Sequence, residues 1–215
     1  MSDRFPICLP FTLAQECPDP SDWSNPANFS DDPHDPGGAT MCGILQSEYD
    51  KFREDQGEDT EPVVDISMSE GYEIYEDYYW EPRCSGLAPG FDLSYFDTCV
   101  NCGPTGSTKV LQEALGVSAD GIWGPFTQAA VVRIADVPAA IRAFTAAREA
   151  YYRSLPGFVY FGHGWTNRTV SIGQDSLSMA GNNPRGVRQL RRFVKSAKAF
   201  RWPSKPTTVP RPMLS

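Results

Sequence analysis

The amino-acid sequence predicts a mainly α-helical protein with a small irregular lobe near its N-terminus, and three observations carry that expectation. Apolar residues recur at helical intervals over most of the chain: Tyr72, Tyr75 and Tyr79, then Leu93, Phe96 and Val100, then a face shared by Ile141, Phe144, Arg148, Tyr151 and Leu155. Residues 17–38 hold five prolines (18, 20, 26, 33 and 36) among many Asp, Asn and Ser, a composition of turns. Strand character is confined to Thr40–Leu45, which reads equally as a passage from loop to helix.

The elements follow in order. Proline is tolerated in a first helical turn, so Pro6 and Pro10 confine the first helix to Pro10–Glu16. Gln46–Arg53 reads as helix, and the acid-rich Glu54–Glu61 as an exposed loop. Ser67-Met68-Ser69-Glu70 has the spacing of a capping box and opens a tyrosine-rich helix that runs to Trp80, one face in the core and one on a cleft wall. The helix of Leu93, Phe96 and Val100 stops at Gly103; Thr105 or Ser107 caps the next, with Val110, Leu111 and Leu115 inward and Gly116 at its end. Asp120-Gly121 makes a tight turn before a helix opened by Pro125, and a longer helix begins at Pro138 and ends at Pro156-Gly157. Residues 158–165, FVYFGHGW, are expected to bend and pack aromatics under a cleft, with one more helix over Thr166–Ala180. Beyond Asn182-Asn183-Pro184, Val187, Leu190, Val194 and Ala197 define a basic amphipathic helix, followed by a proline-rich end.

A chain of 215 residues suits one domain, or one plus a small appendage. Its apolar runs fall far short of the ~20 residues of a membrane-spanning helix, so stable membrane insertion is excluded. The start MSDRFPICLPF lacks the pattern of a signal peptide, so delivery to any extracytoplasmic substrate would need another route. The net charge of −8 is unevenly spread: −16 over residues 1–90, −1 over 91–180 and +9 over 181–215. The basic end either folds back on the acidic body or meets an anionic partner such as phosphate-rich wall polymer, a membrane surface or nucleic acid. With no signal peptide, the six cysteines are expected as reduced thiols. Cys99-Val-Asn-Cys102 has no second pair and the chain offers only His34 and His163, so no metal site is expected.

The chemistry concentrates in residues 16–44. Glu16 closes an apolar helical segment, where a carboxyl is partly desolvated and kept protonated near neutral pH. Asp35-Pro36-Gly37-Gly38-Ala39-Thr40 brings a second carboxylate, a hydroxyl and glycines that let backbone approach a ligand. Asp31 and Asp32 compete with Asp35 for the second role, and Asp35 before Pro-Gly also suits a plain turn. Two carboxyls in one cleft are the equipment of glycosidic cleavage, an acid on the bridging oxygen and a base or anion beneath the sugar.

Several motifs then line up in order: an acid ahead of DPGGATMCGI at residues 35–44, Ile74-Tyr75 through Trp80, Phe96-Asp97 through Asn101-Cys102-Gly103, Leu111-Gln112, Asp120-Gly121-Ile122-Trp123-Gly124-Pro125, and Gly164-Trp165-Thr166-Asn167-Arg168. This set, covering about residues 5–180, resembles the glycoside hydrolase 108 family of lysozyme-like N-acetylmuramidases with their peptidoglycan-binding region. The resemblance implies a mainly α, α+β lysozyme-like fold: a helical bundle around a cleft, with an irregular or β-hairpin lobe near the N-terminus. It divides the chain into a catalytic region (1–103), a helical peptidoglycan-binding region packed on it (104–180), and a basic helix with a proline-rich tail (181–215).

By the same resemblance the activity is hydrolysis of the β-1,4 bond between N-acetylmuramic acid and N-acetylglucosamine, without a cofactor. The partner is bacterial peptidoglycan in a phage-lysin or wall-hydrolase setting, with virion proteins or anionic wall polymer at the tail. The implied catalytic residues are Glu16, Asp35 and Thr40. Tyr79, Trp80, Asn101, Gln112, Asp120, Trp123 and Trp165 are the implied substrate contacts. Several have a structural alternative: Trp123 as a core plug beside an Asp-Gly turn, Tyr79 and Trp80 as core, Arg168 paired to a buried acid. The chain departs from the family after the glutamate, where Cys17-Pro18-Asp19 and an insertion with Trp23 and Phe29 replace two glycines, an aromatic and a short link. A lysozyme-like binding or virion structural protein with impaired catalysis is the competing expectation.

Overall fold

Seven helices among the described residues surround one core, and a three-stranded antiparallel sheet sits to one side of it. The computed structural model describes residues 4–31 and 38–181. Asp32, Asp35 and the basic segment from residue 182 lie outside the described residues, together with what was expected of them.

Helix α1 spans Phe5–Glu16, a turn and more longer than the prolines allow on propensity alone. Pro10 stands inside it and removes the donor for the carbonyl of residue 6, at a cost of about 3 kcal/mol. Phe5, Cys8, Leu9, Phe11 and Leu13 are all buried, and each large apolar side chain contributes roughly 1.5–3 kcal/mol. Burial therefore outweighs the missing bond.

The following loop is laced by its own short polar residues. Asn28 accepts from the Asp19 amide (2.8 Å) and donates to the carbonyls of Asp19 (2.9 Å) and Asp22 (2.8 Å). Trp23, 5% exposed, seats the loop on helix α3 (Met68–Ile74). A Cβ on Gly71 would stand 2.1 Å from the indole, so glycine there opens the notch, and Tyr72 meets the ring edge-on at 5.8 Å.

Strands β1 (Phe29–Ser30), β2 (Thr40–Met41) and β3 (Ile44–Leu45) pair as Ser30 with Thr40 and Thr40 with Leu45, so Thr40–Leu45 is a hairpin. Its two-residue turn, Cys42-Gly43, has positive φ at both positions (47° and 78°), as a type I′ turn requires. Cys17 and Cys42 form a disulfide, against the expectation of reduced thiols. Closing this loop is worth roughly 3 kcal/mol.

Helix α2 (Gln46–Gln56) ends on Gly57 at φ 77°. The Ser67–Glu70 capping box starts α3, which passes into a π-helical turn over Tyr75–Trp80. Helix α4 (Phe91–Ala114) is broken at Cys102-Gly103, where Gly103 turns to φ 73°; the break falls where the sequence places a helix stop. Helices α5 (Pro125–Val132), α6 (Val137–Ser154) and α7 (Phe158–Met179) complete the body. Phe158–Trp165 is not a bend beneath a cleft but the opening of α7. With Gly162 and Gly164 offering no core side chains, Val159, Tyr160 and Phe161 face solvent. No described helix is long and apolar enough to cross a membrane.

Candidate active site

Glu16, the last residue of α1, is reached from the far end of the sequence. Its Oε1 accepts from Arg168 Nη1 of α7 at 2.5 Å, and its side chain is 18% exposed. Arg168 turns its other face to Asp97 of α4, donating from Nη2 at 2.9 Å and from Nε at 3.1–3.2 Å. Arg148 of α6 meets the same carboxylate at 2.7 Å and donates through Nε to the Tyr152 hydroxyl at 2.9 Å; that hydroxyl donates to Asn101. Four helices thus converge on one chain of charges behind Glu16.

Asp97 is fully buried. Burial pushes its carboxyl up, but the two guanidinium charges outweigh that and hold it below the ordinary aspartate value. Burial works against the Arg168 charge too, and Asp97 and Glu16 more than restore it. Asp97 stands between the two guanidinium groups and Glu16 meets the outer one, so each arginine charge under the core surface faces a carboxyl group.

The other oxygen of Glu16 faces the hairpin. A Cβ on Gly43 would stand 2.7 Å from Oε2, so the glycine that makes room for the acid is Gly43; at Gly38 a Cβ would meet nothing within 4 Å. Cys42 is held by its disulfide, by its amide on the Asn28 carbonyl (3.0 Å) and by its carbonyl under the Tyr75 hydroxyl (2.7 Å). Thr40 opens β2, the strand that leads into this turn, and is half-buried. Asp31 is exposed just past β1.

Several implied contacts take structural roles. Trp80 is 1% exposed between Phe5 (5.7 Å) and Phe96 (5.4 Å), with no face for a ligand. Tyr79, 8% exposed, donates to Glu48, and burial pushes its hydroxyl far up. Gln112 is consumed in fastening the 120–124 turn to α4: its amide donates to Asp120 (2.7 Å) and Thr127 (2.9 Å) and accepts from Gly121 (2.8 Å). Asp120 caps that turn at the Ile122 amide, and Trp123 rests half-buried on Tyr95 at 5.2 Å. Asn101 has its side-chain carbonyl engaged by Tyr152. Trp165 is half-exposed between Tyr152 (5.2 Å) and Phe161 (5.7 Å) and keeps a surface to offer.

Gly43 and the cystine escaped sequence reasoning. The adjacency of Cys17 to Glu16 and of Cys42 to Gly43 was the available signal. The reading of Arg168 as partner of a buried acid holds, and extends to Glu16, 152 positions away.

Residues 24–103 match the glycosyl hydrolase 108 family model, a match that begins after Glu16 and Cys17 and includes the hairpin motif. The chain is similar to the solved structure of Brucella abortus SagA, at 28% sequence identity and a TM-score of 0.68, over 81% of this chain and 94% of that one. No curated protein matches.

Proposed function

Because residues 24–103 match the glycosyl hydrolase 108 family model, we propose that the protein is a peptidoglycan hydrolase of lysozyme type. In this reading it is an N-acetylmuramidase that cleaves the β-1,4 bond between N-acetylmuramic acid and N-acetylglucosamine and serves lysis of a bacterial wall. The observation that carries the reading is the placement of Glu16 between Arg168 and the Gly43 turn that continues the DPGGAT motif.

A glycosidic oxygen leaves well only when protonated, and one side chain has to be aimed at it. Arg168 fixes Oε1 and thereby the plane of the carboxyl, leaving Oε2 on the hairpin side for the bond to be cut. Asp35 is the proposed second carboxylate, and Thr40 the hydroxyl that holds the attacking water. A separation of ~6.5–9.5 Å between the two carboxyls leaves room for that water and inverts the anomeric centre. Trp165 is the proposed stacking contact.

Glu16→Gln retains a hydrogen-bond acceptor for Arg168 but has no proton to give. Its lysis of purified peptidoglycan is expected to fall by ~10²–10⁴-fold with an unchanged circular dichroism spectrum. Lysis at the wild-type rate would overturn the assignment.

The Arg168 contact favours a second reading, a lysozyme-like peptidoglycan-binding or virion structural protein with impaired catalysis. Arg168 already engages one carboxyl oxygen of Glu16, a contact that also suits a purely structural ion pair at the end of α1. A zymogram separates the two: clearing supports the hydrolase, binding without clearing supports the alternative.

A further inference from the structure

We propose that the Cys17–Cys42 cystine is a positioning device for Glu16, so that turnover depends on the oxidation state of that pair; this rests on the reading of Glu16 as the acid. Cys17 directly follows Glu16 and caps α1, and Cys42 directly precedes Gly43. The bond, with Cα atoms 4.5 Å apart, therefore joins the peptide neighbours of the two groups that meet at Glu16 Oε2. Arg168 holds one oxygen of the carboxyl from the helical body. The cystine holds the backbone on both sides of the other. Of the six cysteines, the two that flank the acid site are the ones joined; Cys8, Cys84, Cys99 and Cys102 are in no disulfide.

Opening the pair needs a dithiol reductant. Its thiolate attacks one sulfur and breaks the Cys17–Cys42 bond to give a mixed disulfide; its second thiol displaces the attached cysteine. The reductant leaves as its own disulfide, having supplied two electrons, and two protons end on the cysteine sulfurs. The hairpin turn then keeps the Asn28 and Tyr75 hydrogen bonds to Cys42 and the short strand pairing beside it, but loses its covalent tie to the end of α1. Misplacement by 1 Å can cost on the order of 10²-fold in rate.

The test compares three preparations on purified peptidoglycan: cystine intact, reduced with dithiothreitol and verified by thiol alkylation and mass spectrometry, and reoxidised. Assays run well below the unfolding temperature, with circular dichroism confirming a folded chain. Reduction is expected to lower kcat at least tenfold with KM within twofold, and reoxidation to restore it. The double variant C17S/C42S should match the reduced protein and ignore dithiothreitol. A folded, reduced protein that turns over at the oxidised rate would overturn the proposal, as would equal loss of kcat in the variant upon dithiothreitol treatment. If the oxidised protein itself shows no hydrolysis, the muramidase reading fails, and amide exchange decides on positioning. Reduction must then speed exchange at Cys42 and Gln46 at least tenfold relative to α4 and α6, and unchanged exchange refutes it.

Discussion

Glu16 is held from two sides by different physics. On the side of the helical body the holder is electrostatic: Arg168, Asp97 and Arg148, drawn from three helices and buried together. On the side of the lobe it is covalent and steric: a cystine, a type I′ turn and a glycine without a Cβ in the way. The electrostatic side is cooperative, since removing one charge leaves the others unmatched in a low-dielectric place. The covalent side is local: it acts on the backbone next to Glu16 and Gly43 and leaves the buried charges of the helical body paired.

The contrast breaks most sharply at Asp97. Asp97→Asn leaves two guanidinium groups against a neutral amide and is expected to cost about 3–5 kcal/mol, lowering Tm by on the order of 10 °C. A Tm within 2 °C of wild type would show that the arginines find other partners. On the other side, Gly43→Ala must accept φ 78° and push Glu16 Oε2 aside. A cost of about 1–3 kcal/mol in urea unfolding is expected, together with a loss of lysis larger than that stability change explains. Normal lysis in a folded Gly43→Ala variant would mean that Oε2 does not work from its present position.

The smallest effect concerns two carboxyls of the body that shift in opposite directions. Asp97 is held down by its arginines, so its contribution is present above the ordinary aspartate value and is lost as pH falls through its lower folded value. Burial pushes Asp175 of α7 up to about 6. A raised folded value means that its contribution is complete below about 4 and is lost as pH rises through about 6. Because the group is partly solvated, screening leaves about 1 kcal/mol at most. Asp175→Asn should flatten the fall of Tm between pH 4 and 6; an unchanged slope would remove Asp175 from the account.

Much of this fold was written locally. The Ser67–Glu70 box, the stop at Gly103 and the start at Pro125 were legible because each depends on neighbours within a few residues, whereas Thr40–Leu45 read as one short strand or a passage into helix and is two strands about a turn. Glu16 was legible as a helix-end acid for the same reason. The reach of α1 back through Pro10 was not, because propensity speaks against it and tertiary burial decides. The tyrosine-rich run is a π-helical turn whose Trp80 is core, a distinction that helical periodicity alone does not make. Gln112 and Asp120 looked like contacts because polar residues beside a Trp-Gly turn suit a ligand as well as they suit the turn itself. The contact of Arg168 with Glu16 joins opposite ends of the chain, and no local pattern encodes it.

The seating of Trp23 explains how the loop after Glu16 can be long without being loose. Lengthening a loop is cheap, about 0.6 kcal/mol per doubling, whereas an indole sunk into the Gly71 notch returns several times that by burial. The segment from Cys17 to Asn28 behaves as a cassette that carries its own anchor and its own internal lacing. Its register is therefore set by Trp23 on α3, and with Cys17 and Asn28 kept as fixed ends the residues between them are where the chain can be shortened or extended while the acid stays where it is.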